Sequence, residues 1–119
     1  MFLENTKEFI TMVKTNEVEK VITILERANR EFNYLGDIIN DNSYSDFKDK
    51  YLVHQFDFLG MTPLHHAAKN NNFEMVKILC HYKSYVNKID QLGRTPMYLA
   101  TKNGNYKIVK YLIQQQSIP

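Results

Sequence analysis

Cysteine is nearly absent: the 119 residues hold one, Cys80. A lone thiol excludes an internal disulfide and a cysteine-based zinc framework, and it suits a reducing compartment, cytoplasm or nucleus. Glycine and proline are few, four and three. That excludes a collagen-like or linker-type chain. Long apolar runs are missing as well, so no segment reads as a membrane span. The opening MFLENTKEFI has no basic stretch followed by an apolar one, so no secretory signal is expected. What is left is ordinary: 44% apolar and 24% charged residues. The expectation is a single domain over residues 1–119 with one core.

Charge is unevenly placed. Residues 1–55 carry 10 Asp and Glu against 7 Lys and Arg; residues 56–119 carry 3 against 8. The second half is thus basic by five charges and has a field that attracts an acidic partner. Nucleic acid asks for a denser basic stripe than this, so nucleic acid is not the expected partner.

The chain repeats itself. DFLGMTPLHHAAKNNNFEMVKIL at 57–79 lies over DQLGRTPMYLATKNGNYKIVKYL at 90–112. Asp57 meets Asp90, Gly60 meets Gly93, and Thr62-Pro63 meets Thr95-Pro96. Ala67 meets Ala100, Val76 meets Val109, and Leu79 meets Leu112, always at an offset of 33. Fixed self-similarity at this period marks a stacked repeat. Thr followed by Pro starts a helix: Thr caps free amides and Pro is tolerated at the first helical position. Leu64, Ala67 and Ala68 fall on one face, and the alanines let neighbouring helices come close. Asn70-Asn71 and Asn103-Gly104 mark tight turns, since Asn and Gly accept left-handed backbone most cheaply. A longer apolar helix follows, with Phe73, Val76, Leu79 and Cys80 on one face in the first copy. Tyr106, Val109, Leu112 and Ile113 take those places in the second. Each unit reads as helix, turn, helix and extended loop.

These features resemble the ankyrin repeat family, whose period is 33 and whose signature is T-P-L-H-x-A. Here the signature is Thr62-Pro63-Leu64-His65-His66-Ala67. In the second copy Met97 and Tyr98 replace the Leu and the His. Asn71 stands where the family usually has Gly. Of the family's Gly-Ala-Asp-Val-Asn, only Val86-Asn87 survives, after Lys83-Ser84-Tyr85. The resemblance implies an all-α solenoid of helix-turn-helix units with extended loops, here with a long insertion after the first unit. It also implies a structural His65, bonding Thr62 and nearby backbone at the helix start.

The first half fits less directly. Lys14-Thr15-Asn16 aligns with Lys102-Asn103-Gly104, and Ile24-Leu25 with Leu112-Ile113. Residues 4–30 then form a divergent first repeat, with Phe9, Met12 and Val13 facing inward. Val21 to Val76 spans one period plus 22 residues, so residues 31–56 are expected to be an insertion loop. Asn40–Asp46 within it is rich in Asn, Asp and Ser, as exposed loops are. Tyr51-Leu52-Val53 is a short apolar run that packs or pairs. The second and third repeats are read as 57–89 and 90–119.

No catalytic set stands out, so the expected function is not that of an enzyme and no cofactor is implied. His65-His66 and Cys80-His81 offer four ligand atoms, but adjacent helical residues point apart, and no Cys-x-x-Cys or His-x-x-x-His exists. No metal site is expected. Cys80 reads as a small buried hydrophobe, and no phosphate-cradling glycine loop occurs.

The family resemblance implies a protein partner bound along loop tips and the concave face of the first helices. The candidate partner-binding residues are Phe58, Leu59, Met61, Lys69 and Asn70 in one unit. In the next they are Ile89, Gln91, Leu92, Arg94, Lys102 and Asn103. Apolar residues at loop tips either form an open interaction patch or lie buried under the insertion. The last helix is apolar on more than one face. That leaves open a longer array, a contact with another subunit, or a cap made by Gln114–Gln116. The chain is expected to be a monomer or a weak homodimer. It reads as a scaffold or adaptor module, with a regulatory or targeting module of a larger protein, such as an enzyme or channel, as the alternative.

Overall fold

The structure is a computed structural model that describes residues 2–39 and 52–116. Among these residues it has no strand; Leu52 and Val53 are helical, and six further helices have described bounds. They are α1 (Phe2–Lys14), α2 (Val18–Ile39), α3 (Pro63–Lys69), α4 (Phe73–His81), α5 (Pro96–Lys102) and α6 (Tyr106–Gln116). The first helices pack in sequence, α1 on α3 and α3 on α5; the second helices do the same, α2 on α4 and α4 on α6. Three antiparallel pairs therefore stack into two layers. No helix among the described residues is long and apolar enough to cross a membrane.

The helix boundaries follow the expected chemistry. Thr62 and Thr95 cap α3 and α5, accepting from the amides of His65 and Tyr98, and Pro63 and Pro96 open those helices. Four helix ends then close in the same way. After α1, α3, α4 and α5, a residue with positive φ ends the helix: Asn16, Asn71, Lys83 and Gly104. At each end the next amide bonds back over five residues, from Glu17 to Met12, Asn72 to Ala67, Ser84 to Leu79 and Asn105 to Ala100. This double closure satisfies the last carbonyls of each helix. Asn16, Asn71 and Gly104 are the positions that the repeat alignment superposes, so one turn geometry recurs in all three units.

The core lies between the two layers. Phe9, Val13, Val21, Leu64, Ala67, Ala68, Met75, Val76, Leu79, Ile108 and Leu112 are buried in one cluster. Phe9 and Val13 face inward as the first-repeat reading requires, with Met12 packed partly against them. Leu52 and Val53 also join the core. Two residues of the short apolar run before the second unit therefore pack, and Tyr51 lies outside the described residues.

Two expectations change. Helix α2 was expected to end near residue 30, yet it continues to Ile39. Nothing in the sequence stops the helix at residue 30. Phe32, Leu35 and Ile39 keep a helical spacing, and Gly36 alone costs only about 1 kcal/mol. The proposed insertion loop thus loses its first third, and Asn40–Asp46 lies outside the described residues. The second change concerns α6. Tyr106 and Ile113 were expected inside, but both are exposed while Ile108 and Leu112 fill the core. In α4 the counterpart of Tyr106 is Phe73, which is only partly buried. It meets Tyr111 edge-on at 5.5 Å and lies beneath the ammonium groups of Lys77 and Lys107. Half of that cover comes from the following unit, and Tyr106 has no such unit over it among the described residues.

Candidate partner-binding face

Two turns form the tips, each built around an aspartate. The Asp57 carboxylate accepts from the amides of Leu59 and Met61, both at 3.0 Å. The Gly60 amide closes the turn on the Asp57 carbonyl. One unit later, Asp90 accepts from the amides of Leu92 and Arg94 at 3.0 and 2.9 Å, and the Gly93 amide closes the turn. Gly60 and Gly93 both have positive φ, 75° and 76°, which only glycine adopts without cost. The tips are joined by the Gln91 amide, which donates to the Leu59 carbonyl at 2.9 Å.

Polar side chains fix the tips to the helices. His65 accepts at Nδ1 from the Thr62 amide, 3.1 Å, and lies 2.8 Å from the Thr62 hydroxyl. Its Nε2 therefore carries the proton and donates to the Arg94 carbonyl at 2.8 Å. The structural role implied for His65 is met, and it reaches across two units. Burial is the main influence on this imidazole and keeps it below its ordinary pKa. His66 Nε2 lies 2.8 Å from the other Asp57 oxygen. Burial lowers the His66 pKa too, more than the aspartate raises it. For Asp57, burial pushes upward, but the bonds from His66, Met61 and Leu59 outweigh it and hold the carboxyl low. Asp90 behaves alike: burial pushes up, and Arg94 and Leu92 outweigh it. Cys80, partly buried, has its thiol pushed up to about 11 by burial, so it is neutral and inert at pH 7.

The candidate residues separate into three groups. Phe58, Leu92 and Ile89 are 84%, 70% and 57% exposed, with Leu59 less so. Gln91, Lys69 and Lys102 are exposed as well. Among the described residues the tips are open; residues 40–51 of the insertion, which the covered reading would lay over them, lie outside the described residues. Met61 is a correction. It is 2% exposed, because the Arg94 guanidinium of the next unit reaches its sulfur at 3.8 Å. It belongs beneath the face rather than on it. Arg94 itself is half-buried and spent on Asp90, at 2.8 Å.

Asn70 and Asn103 form the third group. They are exposed, but their side-chain amides donate to the carbonyls of Lys14 and Lys69, each at 3.0 Å. Each ties its own unit to the first helix of the one before. Asn105 adds a buried bond to the Ala68 carbonyl at 2.8 Å. The recurrence of Asn70 as Asn103 at the repeat offset is the signal for a structural task.

Sequence reasoning missed two features of this face. Phe56, 62% exposed, is the repeat counterpart of Ile89, so the apolar tip has two rows rather than one. Lys14 is the counterpart of Lys69 and Lys102, and all three are exposed at the ends of α1, α3 and α5. The offset of 33 locates the first; the alignment of Lys14 with Lys102 locates the second.

Comparison with family models matches residues 13–118 to a model described as ankyrin repeats, in three copies. No curated protein matches the chain. The match covers all three helix pairs in part or whole, and repeats of this kind are generally protein-binding modules. The Thr-Pro caps, the shared left-handed turns and the family match agree: this chain belongs to the ankyrin repeat family.

Proposed function

We propose that the chain is a non-enzymatic recognition module, a scaffold or adaptor that binds a protein partner. The partner would lie across the tips and the exposed ends of α3 and α5. One observation carries this reading: large apolar side chains, Phe58 above all, stand exposed on turns that backbone amides hold in place. Contiguous apolar patches on soluble proteins tend to be interaction sites. Aromatic residues are enriched at interface cores. Because the turns are already bonded, little ordering entropy is lost on binding. The polar groups with proton-transfer chemistry, His65, His66, Asp57 and Asp90, are engaged in the turns themselves. A reducing compartment, cytoplasm or nucleus, suits the single thiol.

A second reading has one observation in its favour. Tyr98, Tyr106 and Ile113 leave an apolar surface on the third unit. As a regulatory or targeting module of a larger protein, the chain would use that surface against its host.

Position-resolved photocrosslinking in native cell extract tests the first reading. A photoreactive residue is placed in turn at Phe58, Leu92 and Lys110, an exposed residue of α6. Protein adducts from Phe58 and Leu92, and not from Lys110, are expected. Adducts from Lys110 alone would contradict it.

A further inference from the structure

Resting on the recognition reading above, we propose that the bound segment is acidic and amphipathic. Its carboxylates would meet a row of lysines, Lys14, Lys69 and Lys102, and its apolar side chains would rest on Phe58, Leu59 and Leu92.

The lysine row is fixed by the stack. Each lysine is the last residue of a first helix. The carbonyls of Lys14 and Lys69 are clamped by Asn70 and Asn103 of the following unit. The three charges therefore recur once per unit along one edge. The tips recur in the same register, Phe56 with Ile89 and Leu59 with Leu92, and are tied by the bond between Gln91 and Leu59. Helix α3, of 7 residues, lies between the tip and the lysine end of its unit and rises about 10 Å at 1.5 Å per residue. His66 bonds Asp57 at the tip, and the charges of Lys14 and Lys69 are both close enough to disfavour its protonation.

The charge on this face is unbalanced. Among the described residues, Lys14, Lys69 and Lys102 form no ion pair. Lys88, exposed just before the second tip, forms none either. Both tip carboxylates are hydrogen-bonded within their own turns, and Asp90 is also paired with a cation. Asp57 takes His66 and two amides, and Asp90 takes the Arg94 side chain and two amides. A basic row parallel to an apolar row favours a segment with one acidic and one apolar side. A nucleic acid would neutralise the lysines but leave the apolar tip row without a counterpart.

A displayed random-peptide library selected on the full chain tests this, followed by anisotropy of the labelled winners. Acidic peptides with several large apolar residues are expected to be enriched. Their binding should weaken as salt rises from about 0.05 to 0.3 M, as the screening length shortens. Reversal of the three lysines to Glu should cost about tenfold or more, and Phe58→Ser with Leu92→Ser a similar factor. The serine pair changes only exposed tip residues, so its denaturation midpoint should match the parent; the Glu triple puts negative charge at three helix C-termini and should lower the midpoint modestly while the chain stays folded. Should the triple reversal misfold, Lys69→Gln with Lys102→Gln gives the same reading at smaller amplitude. Winners that are neutral or basic, or that ignore the lysines but need Phe58 and Leu92, would overturn the acidic assignment and leave the tip reading standing. Winners indifferent to both sets, or no winners, would count against both. Tighter binding of a labelled DNA duplex through the same lysines would overturn the protein assignment.

Discussion

Lys83 holds a backbone conformation that suits it poorly. Its φ is 74° at the end of α4, where the double closure needs a left-handed residue. A side chain pays roughly 1–2 kcal/mol there that glycine avoids, offset in part by glycine's greater freedom when unfolded. Lys83→Gly is therefore expected to stabilise the chain by about 0.5–1 kcal/mol in urea denaturation. An unchanged or lower midpoint would refute the assigned turn. The histidines give a second residue-scale prediction. Folding keeps His65 and His66 below the ordinary value of 6.5. Between the folded and unfolded pKa values the unfolded chain binds more protons, so stability rises with pH there. Stability should be full above pH 6.5 and decline as pH falls below it. His65→Gln should flatten that decline and cost about 1–3 kcal/mol at neutral pH, through the lost cap and the lost bond to Arg94.

At the scale of elements, the two tip glycines look identical in sequence and differ in surroundings. A Cβ on Gly60 would meet the Gln91 amide nitrogen at 3.0 Å, whereas one on Gly93 would meet nothing within 4 Å. Both substitutions carry the left-handed penalty, roughly 1–2 kcal/mol. Gly60→Ala should cost more than Gly93→Ala in the same denaturation series, because only it forces the tips apart. Leu79→Ala, buried at the centre of the stack, should cost about 2–5 kcal/mol. Much at this scale was legible in the sequence. Thr-Pro pairs placed the starts of α3 and α5, and Asn16, Asn71 and Gly104 placed the turns. The end of α2 was not legible, because no strong breaker follows residue 30 and a repeat alignment stops where its second copy ends. Met75 and Ile108 were missed because the inward face was drawn through the aromatic residues Phe73 and Tyr106. Those aromatics lie at the edge of the layer, where only a following unit covers them.

For the whole molecule, the stack serves to hold apolar side chains out on stiff tips beside a line of positive charge. The tips could be found from sequence because exposed-loop positions carry Phe58, Leu59, Ile89 and Leu92. Whether those side chains are open or covered depends on contacts between distant segments, which periodicity does not encode. Met61 shows the same limit. It sits among tip residues in sequence, and Arg94 of the next unit covers it. The acidic and basic halves of the chain were visible as counts, but not that Asp57 and Asp90 are hydrogen-bonded within the turns. The most direct test of this account is the affinity of a crosslinked and identified partner for the chain carrying Phe58→Ser and Leu92→Ser together. The expected result is a loss of about 30-fold or more, in the range of interface hot spots, with an unchanged denaturation midpoint. Equal affinity in the parent and in the folded double variant would contradict recognition through the tips.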